Sequence, residues 1–136
     1  MQNKLSCRIL LVDDEANIRT VFSDVLKRAG YRVKAVEDGH EAIKEVEQNT
    51  YNLALVDLRM PGLDGIQVLE KIKSIRPQTR VIIYTGFASL EDETEAMSKG
   101  AADYLTKPFS PEELKLAIKK ALEQKGKNTL QPSQDK

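Results

Sequence analysis

Short apolar runs rich in β-branched residues alternate along this chain with segments whose apolar residues recur at helical spacing. The runs at residues 8–12, 31–36, 52–56, 80–84 and 102–105 predict five strands, of which the first, third and fourth are strongly apolar. In the first intervening segment Ile18, Val21, Phe22, Val25, Leu26 and Ala29 predict one buried helical face, and Gly30 is placed to end that helix. Ala42, Ile43 and Val46 predict a shorter second helix that stops before Asn49. Ile66, Leu69, Ile72 and Ile75 predict a third, with Pro77 just beyond its end. The last helix starts at Ser110-Pro111-Glu112-Glu113, a capping box with proline at the first helical position, and continues through Leu114, Ala117, Ile118, Ala121 and Leu122. The fourth, near residues 88–99, differs from the rest. Glu91, Asp92, Glu93 and Glu95 suit a helix amino end, but only Leu90, Ala96 and Met97 offer burial, so it is expected to be weakly anchored and able to move.

Five strand–helix units predict an α/β fold with a doubly wound parallel sheet, because right-handed crossovers must lay helices on both faces. In the strand order 2-1-3-4-5 the first and third strands flank the switch point, beyond whose carboxyl ends ligands bind. Polar residues stop the apolar runs at that rim. Asp57 follows Leu53-Ala54-Leu55-Val56, Asp13 and Asp14 follow Ile9-Leu10-Leu11-Val12, Thr85 follows Val81-Ile82-Ile83-Tyr84, and Lys107 follows Tyr104-Leu105-Thr106. Taken singly each has an ordinary reading: a capping aspartate, a strand-end threonine, a solvated lysine. At the carboxyl ends of different strands they form a candidate site.

Composition narrows what that site serves. The 136 residues suit one domain, and 21 basic against 21 acidic residues leave no net charge to favour nucleic acid or an anionic membrane, so direct DNA binding by this segment is not expected. Cys7 is the only cysteine, which excludes an internal disulfide and a cysteine-rich metal site. The first residues lack the apolar stretch of a signal peptide, and no run reaches the length of a membrane span, so a cytoplasmic location is the expectation. From Lys125 the apolar period ceases. The expected organisation is a lead-in over residues 1–7, a domain over 8–124, and a polar tail or truncated linker over 125–136.

Carboxylates about 4 Å apart repel by about 1 to 4 kcal/mol per pair at effective dielectrics between those of water and a protein surface. Asp13, Asp14 and Asp57 with the single Lys107 are short of positive charge, and Mg²⁺, which binds through a few oxygens while keeping waters, answers that shortage. Asp57 would then have one oxygen oriented for attack on phosphorus to give an acyl phosphate, with Lys107 balancing the phosphoryl oxygens and Thr85 donating a hydrogen bond.

Leu11-Val12-Asp13-Asp14-Glu15, Val56-Asp57-Leu58-Arg59-Met60-Pro61-Gly62-Leu63-Asp64-Gly65, Tyr84-Thr85-Gly86 and Asp103-Tyr104-Leu105-Thr106-Lys107-Pro108-Phe109 together resemble the receiver domain of two-component response regulators. The likeness runs from about Arg8 to Gln124 and is strongest toward receivers of the nitrogen-regulation type of transcriptional activator. It implies a flavodoxin-like, three-layer (βα)5 sandwich and phosphorylation of Asp57 by a sensor histidine kinase or a histidine phosphotransfer protein. It further assigns Mg²⁺ to Asp14, Asp57 and the backbone carbonyl of Arg59, with Asp13 acting largely through water. It pairs Thr85 with Tyr104 in a switch that reshapes the face of the fourth helix, fifth strand and fifth helix, and it expects a cis peptide at Lys107-Pro108.

What the resemblance implies downstream is an output domain or protein, with a homodimer on activation as a further possible outcome; the catalysis expected is limited to the chain's own phosphotransfer and dephosphorylation. Arg59 lies where the family is diverse, leaving the phosphoryl lifetime open, and the sole histidine, His40, reads as a solvated helix residue. Three alternative readings fit the residues less well. A flavin protein would need hydroxyls and amides where Asp13-Asp14-Glu15 stand. An aspartyl-phosphate hydrolase would place a second aspartate at the position of Arg59. A non-phosphorylated binding module would have no use for the full set of acids, hydroxyl and lysine. A stand-alone relay receiver remains open beside a domain of a larger regulator.

Overall fold

The apolar runs form a single five-stranded parallel sheet in the order β2-β1-β3-β4-β5, in a computed structural model that describes residues 7–124. Its elements, in chain order, are β1 (Arg8–Val12), α1 (Ala16–Arg28), β2 (Arg32–Val36), α2 (Gly39–Gln48), β3 (Leu53–Asp57), α3 (Gly65–Ile75), β4 (Arg80–Thr85), α4 (Leu90–Ser98), β5 (Asp103–Thr106) and α5 (Pro111–Leu122). The expected doubly wound order and parallel pairing are both present. Most of the expected lead-in, residues 1–6, and the expected tail, 125–136, lie outside the described residues.

Side chains alternate across a strand, so the sheet divides the core into two clusters. Leu10, Val12, Ala54, Val56, Val81 and Ile83 point to the side covered by α2, α3 and α4. Ile9, Leu11, Leu53, Leu55, Ile82 and Tyr84 point to the side covered by α1 and α5. β1 and β3, central in the order, are almost wholly buried, as apolar runs covered on both faces must be.

The helix ends follow from local chemistry. Ser110 and Glu113 form the expected capping box at α5, and Asp64 with Gln67 forms a second one at α3. Gly30 (φ 103°) closes α1, with its own N–H on the Lys27 carbonyl and that of Tyr31 reaching the Leu26 carbonyl.

Two helices bury less than their patterns predict. On α1 only Leu26 is fully buried and Val21 is 55% exposed, because five residues of helix rotate Val21 about 140° away from Leu26. On α4 only Ala96 is buried; Leu90 and Met97, expected to help anchor it, are 79% and 44% exposed. Besides Ala96, ion pairs join its two ends to neighbouring elements, Arg59 to Asp92 at 2.8 Å and Glu70 to Lys99 at 2.6 Å.

Candidate functional site

Asp57 is the last residue of β3 and Thr85 the last of β4, one position beyond the strand ends read from the sequence, so the sheet itself holds both side chains. Asp13 and Asp14 lie between β1 and α1, and Lys107 directly follows β5, where its N–H donates to the Thr85 carbonyl at 2.8 Å. Gly65 lets the β3–α3 loop fold back closely: a Cβ there would stand 2.7 Å from both the Asp57 carbonyl oxygen and the Leu58 Cα.

The three carboxylates converge, each offering an oxygen within 4.8 Å of the others. Asp13 is fully buried and Asp57 nearly so, while Asp14 is exposed. Burial, and next the charge of Asp13, push the Asp57 carboxyl up from 3.8 to about 6, against the lowering influence of Lys107 and of the Arg59 N–H. That N–H donates to Asp57 Oδ1 over a long 3.4 Å. A crowded set of hard oxygens with one nearby amine and excess negative charge fits a hard divalent cation. Glu37, Asp38 and Glu41 make a second, more exposed acidic group.

Thr85 and Tyr104 belong to the other face of the sheet. Thr85 is fully buried, and its Oγ1 accepts the Phe87 N–H at 3.1 Å. Tyr104 pairs in register with Ile83, two residues before Thr85, which puts the two side chains on the same face. Tyr104 is buried rather than lying at the surface, and its hydroxyl has no hydrogen-bond partner among the described residues. The Lys107–Pro108 peptide is cis. The Arg59 side chain turns away from the acids to Asp92 on α4, Gly86 has open space around it, and Phe87 is 77% exposed.

One participant escaped sequence reading. Tyr84, which lies abreast of Asp57 in the β3–β4 register, donates its hydroxyl to Asp13 Oδ2 at 2.5 Å, and Lys107 Nζ stands 5.2 Å from its ring centroid. The usable signal was a tyrosine, with a hydroxyl that burial obliges to find a partner, in the last pair of an otherwise aliphatic strand.

The family model described as the response regulator receiver domain matches residues 9–119. The chain is 39% identical over 114 residues to the transcriptional regulatory protein ZraR of Salmonella typhimurium, a match covering 84% of this chain and 26% of that protein. It thus spans about a quarter of the length of that regulator. It is 36% identical over 115 residues to the sporulation initiation phosphotransferase F of Bacillus subtilis, covering 85% of this chain and 93% of that one. Among solved structures, a CheY-like receiver domain protein from Methanospirillum hungatei JF-1 superposes with a TM-score of 0.85 at 35% identity, covering 90% of this chain and 98% of that chain. No helix among the described residues is long and apolar enough to cross a membrane.

Proposed function

The chain belongs to the response-regulator receiver family, whose members work as phosphorylation-activated signalling domains, and from that premise we propose that Asp57 is its phosphoacceptor. The observation that carries this reading is the convergence of three carboxylates within 4.8 Å at the ends of β1 and β3, with Asp57 fixed by the strand itself. A carboxylate oxygen of Asp57 attacks the phosphorus of a phosphohistidine on a kinase or phosphotransfer protein. The new O–P bond forms as the P–N bond breaks, and the electron pair leaves with the imidazole.

Asp14 and Asp57, with the Arg59 carbonyl, would hold Mg²⁺, and Asp13 would support it through water. Bound there, the cation supplies the positive charge that offsets the mutual repulsion of the acids and of the incoming phosphoryl oxygens. The Lys107 amine provides the second counter-charge. Thr85 Oγ1, which accepts from Phe87 N in the present structure, can turn its own proton toward a phosphoryl oxygen. The Tyr104 hydroxyl, buried without a partner among the described residues, gives the ring little to lose by moving, and this supports a Thr85–Tyr104 switch that reads out on α4, β5 and α5. Water reaches the acyl phosphate past Gly86, so the chain removes its own phosphoryl group at a rate set in part by Arg59 and Phe87. The downstream recipient is an output domain such as a transcriptional activator, or a relay protein.

Beryllofluoride, a stable phosphoryl mimic, tests this reading when added with Mg²⁺ and followed by amide hydrogen exchange. The expected result is altered exchange over residues 86–104 in the unsubstituted protein and none in an Asp57→Asn variant. An unaltered pattern in both would overturn the proposal.

A further inference from the structure

Tyr84 touches two members of the acid pocket at once. Its hydroxyl donates to Asp13 Oδ2 at 2.5 Å, and its ring lies beneath the Lys107 amine, 5.2 Å from ring centroid to Nζ. The ring is itself held by Phe22 and Phe109, at centroid distances of 5.6 and 6.2 Å, so the hydroxyl is aimed by packing from α1 and from the segment preceding α5. Asp13, for its part, has no freedom to spare. Its Oδ1 accepts the Glu15 N–H at 2.8 Å, its carbonyl accepts from Arg19 Nη1 at 2.8 Å, and the residue is fully buried. Both carboxylate oxygens therefore already carry a protein donor.

We propose that Tyr84 is a positioning residue that keeps Asp13 out of direct coordination: its hydroxyl claims Oδ2, so Asp13 contributes charge and water-mediated contacts while Asp14 and Asp57 face the cation. This rests on the cation reading of the acid pocket given above and adds the part of it that is particular to this chain. An aliphatic residue at position 84 would leave Asp13 Oδ2 seeking a partner in a buried setting, and a divalent cation is the nearest compensation. The hydroxyl thus competes with the cation for the carboxylate and weakens cation binding in the unphosphorylated state.

Calorimetric titration of Mg²⁺ at pH 8 into the unsubstituted protein and Tyr84→Phe tests this directly, since phenylalanine keeps the ring packing and the Lys107 contact. Tyr84→Phe is expected to bind Mg²⁺ about fivefold more tightly, the cation recovering part of a lost charge-assisted hydrogen bond, and to gain more in melting temperature from saturating Mg²⁺. The effect on affinity should vanish in an Asp13→Asn background. A merely structural tyrosine would lower the melting temperature equally with and without Mg²⁺ and leave the affinity unchanged, and that result overturns the proposal. A second measurement needs no variant: the Tyr84 hydroxyl proton, observed by NMR, should persist when Mg²⁺ saturates the protein, and its loss would likewise overturn the proposal. Should the unsubstituted protein show no saturable Mg²⁺ binding, the cation reading itself falls and this inference with it, whereas equal binding by both proteins removes the inference alone.

Discussion

Asp57 carries an electrostatic cost in the folded protein. An ordinary aspartate titrates near 3.8, but burial and the neighbouring charge of Asp13 raise Asp57 to about 6. Between those values the folded protein holds a proton that the unfolded chain has released, so stability falls as pH rises through that window and the full cost applies above about pH 6. Replacing Asp57 with asparagine should therefore stabilise the metal-free protein by about 1–3 kcal/mol at pH 7.5, with the gain disappearing near pH 4. Urea unfolding in the presence of a chelator measures it. An equal gain at both pH values would show that the charge of Asp57 is not the cause. The sequence exposed Asp13, Asp14, Asp57, Thr85 and Lys107 because each interrupts an apolar run at a strand's carboxyl end. It hid Tyr84, whose partner Asp13 lies 71 residues away and whose ring reads as core.

At the scale of elements, α4 is where the fold is least committed. Its acidic first turn and sparse apolar residues were legible, but the exposure of Leu90 and Met97 was not, since burial of an apolar residue depends on the helix's rotation against its neighbours rather than on residue type. What secures the amino end is Ser89, whose hydroxyl accepts the Asp92 N–H at 3.0 Å, together with the Arg59–Asp92 ion pair. Arg59 is two residues from Asp57, so this pair ties α4 directly to the loop beside the acids. Exposed ion pairs contribute at most about 1 kcal/mol, which makes the tie easy to break. Arg59→Ala is accordingly expected to leave global stability within about 1 kcal/mol of the unsubstituted protein while speeding amide exchange across residues 91–98. Exchange mass spectrometry that finds those amides unchanged would show that packing on Ala96 alone holds the helix.

For the whole molecule, strand parity divides the work. Asp57 and Tyr84 extend the strand face that packs on α1 and α5, while Thr85 and Tyr104 belong to the face covered by α2, α3 and α4. A phosphoryl group on Asp57 would arrive at the boundary of the first side and be read on the second, with Thr85 at the strand end as the crossing point. The covering of both faces could be anticipated from continuous apolar runs alternating with amphipathic segments, and right-handed crossovers left few strand orders, 2-1-3-4-5 among them. The convergence of the three carboxylates could not be measured that way, because it depends on the paths of the loops after β1 and β3. All of it turns on whether Asp57 accepts a phosphoryl group. Intact mass spectrometry after incubation with Mg²⁺ and acetyl phosphate answers this most directly: the account predicts one added phosphoryl group on the unsubstituted protein and none on Asp57→Asn, and equal addition to both would contradict it.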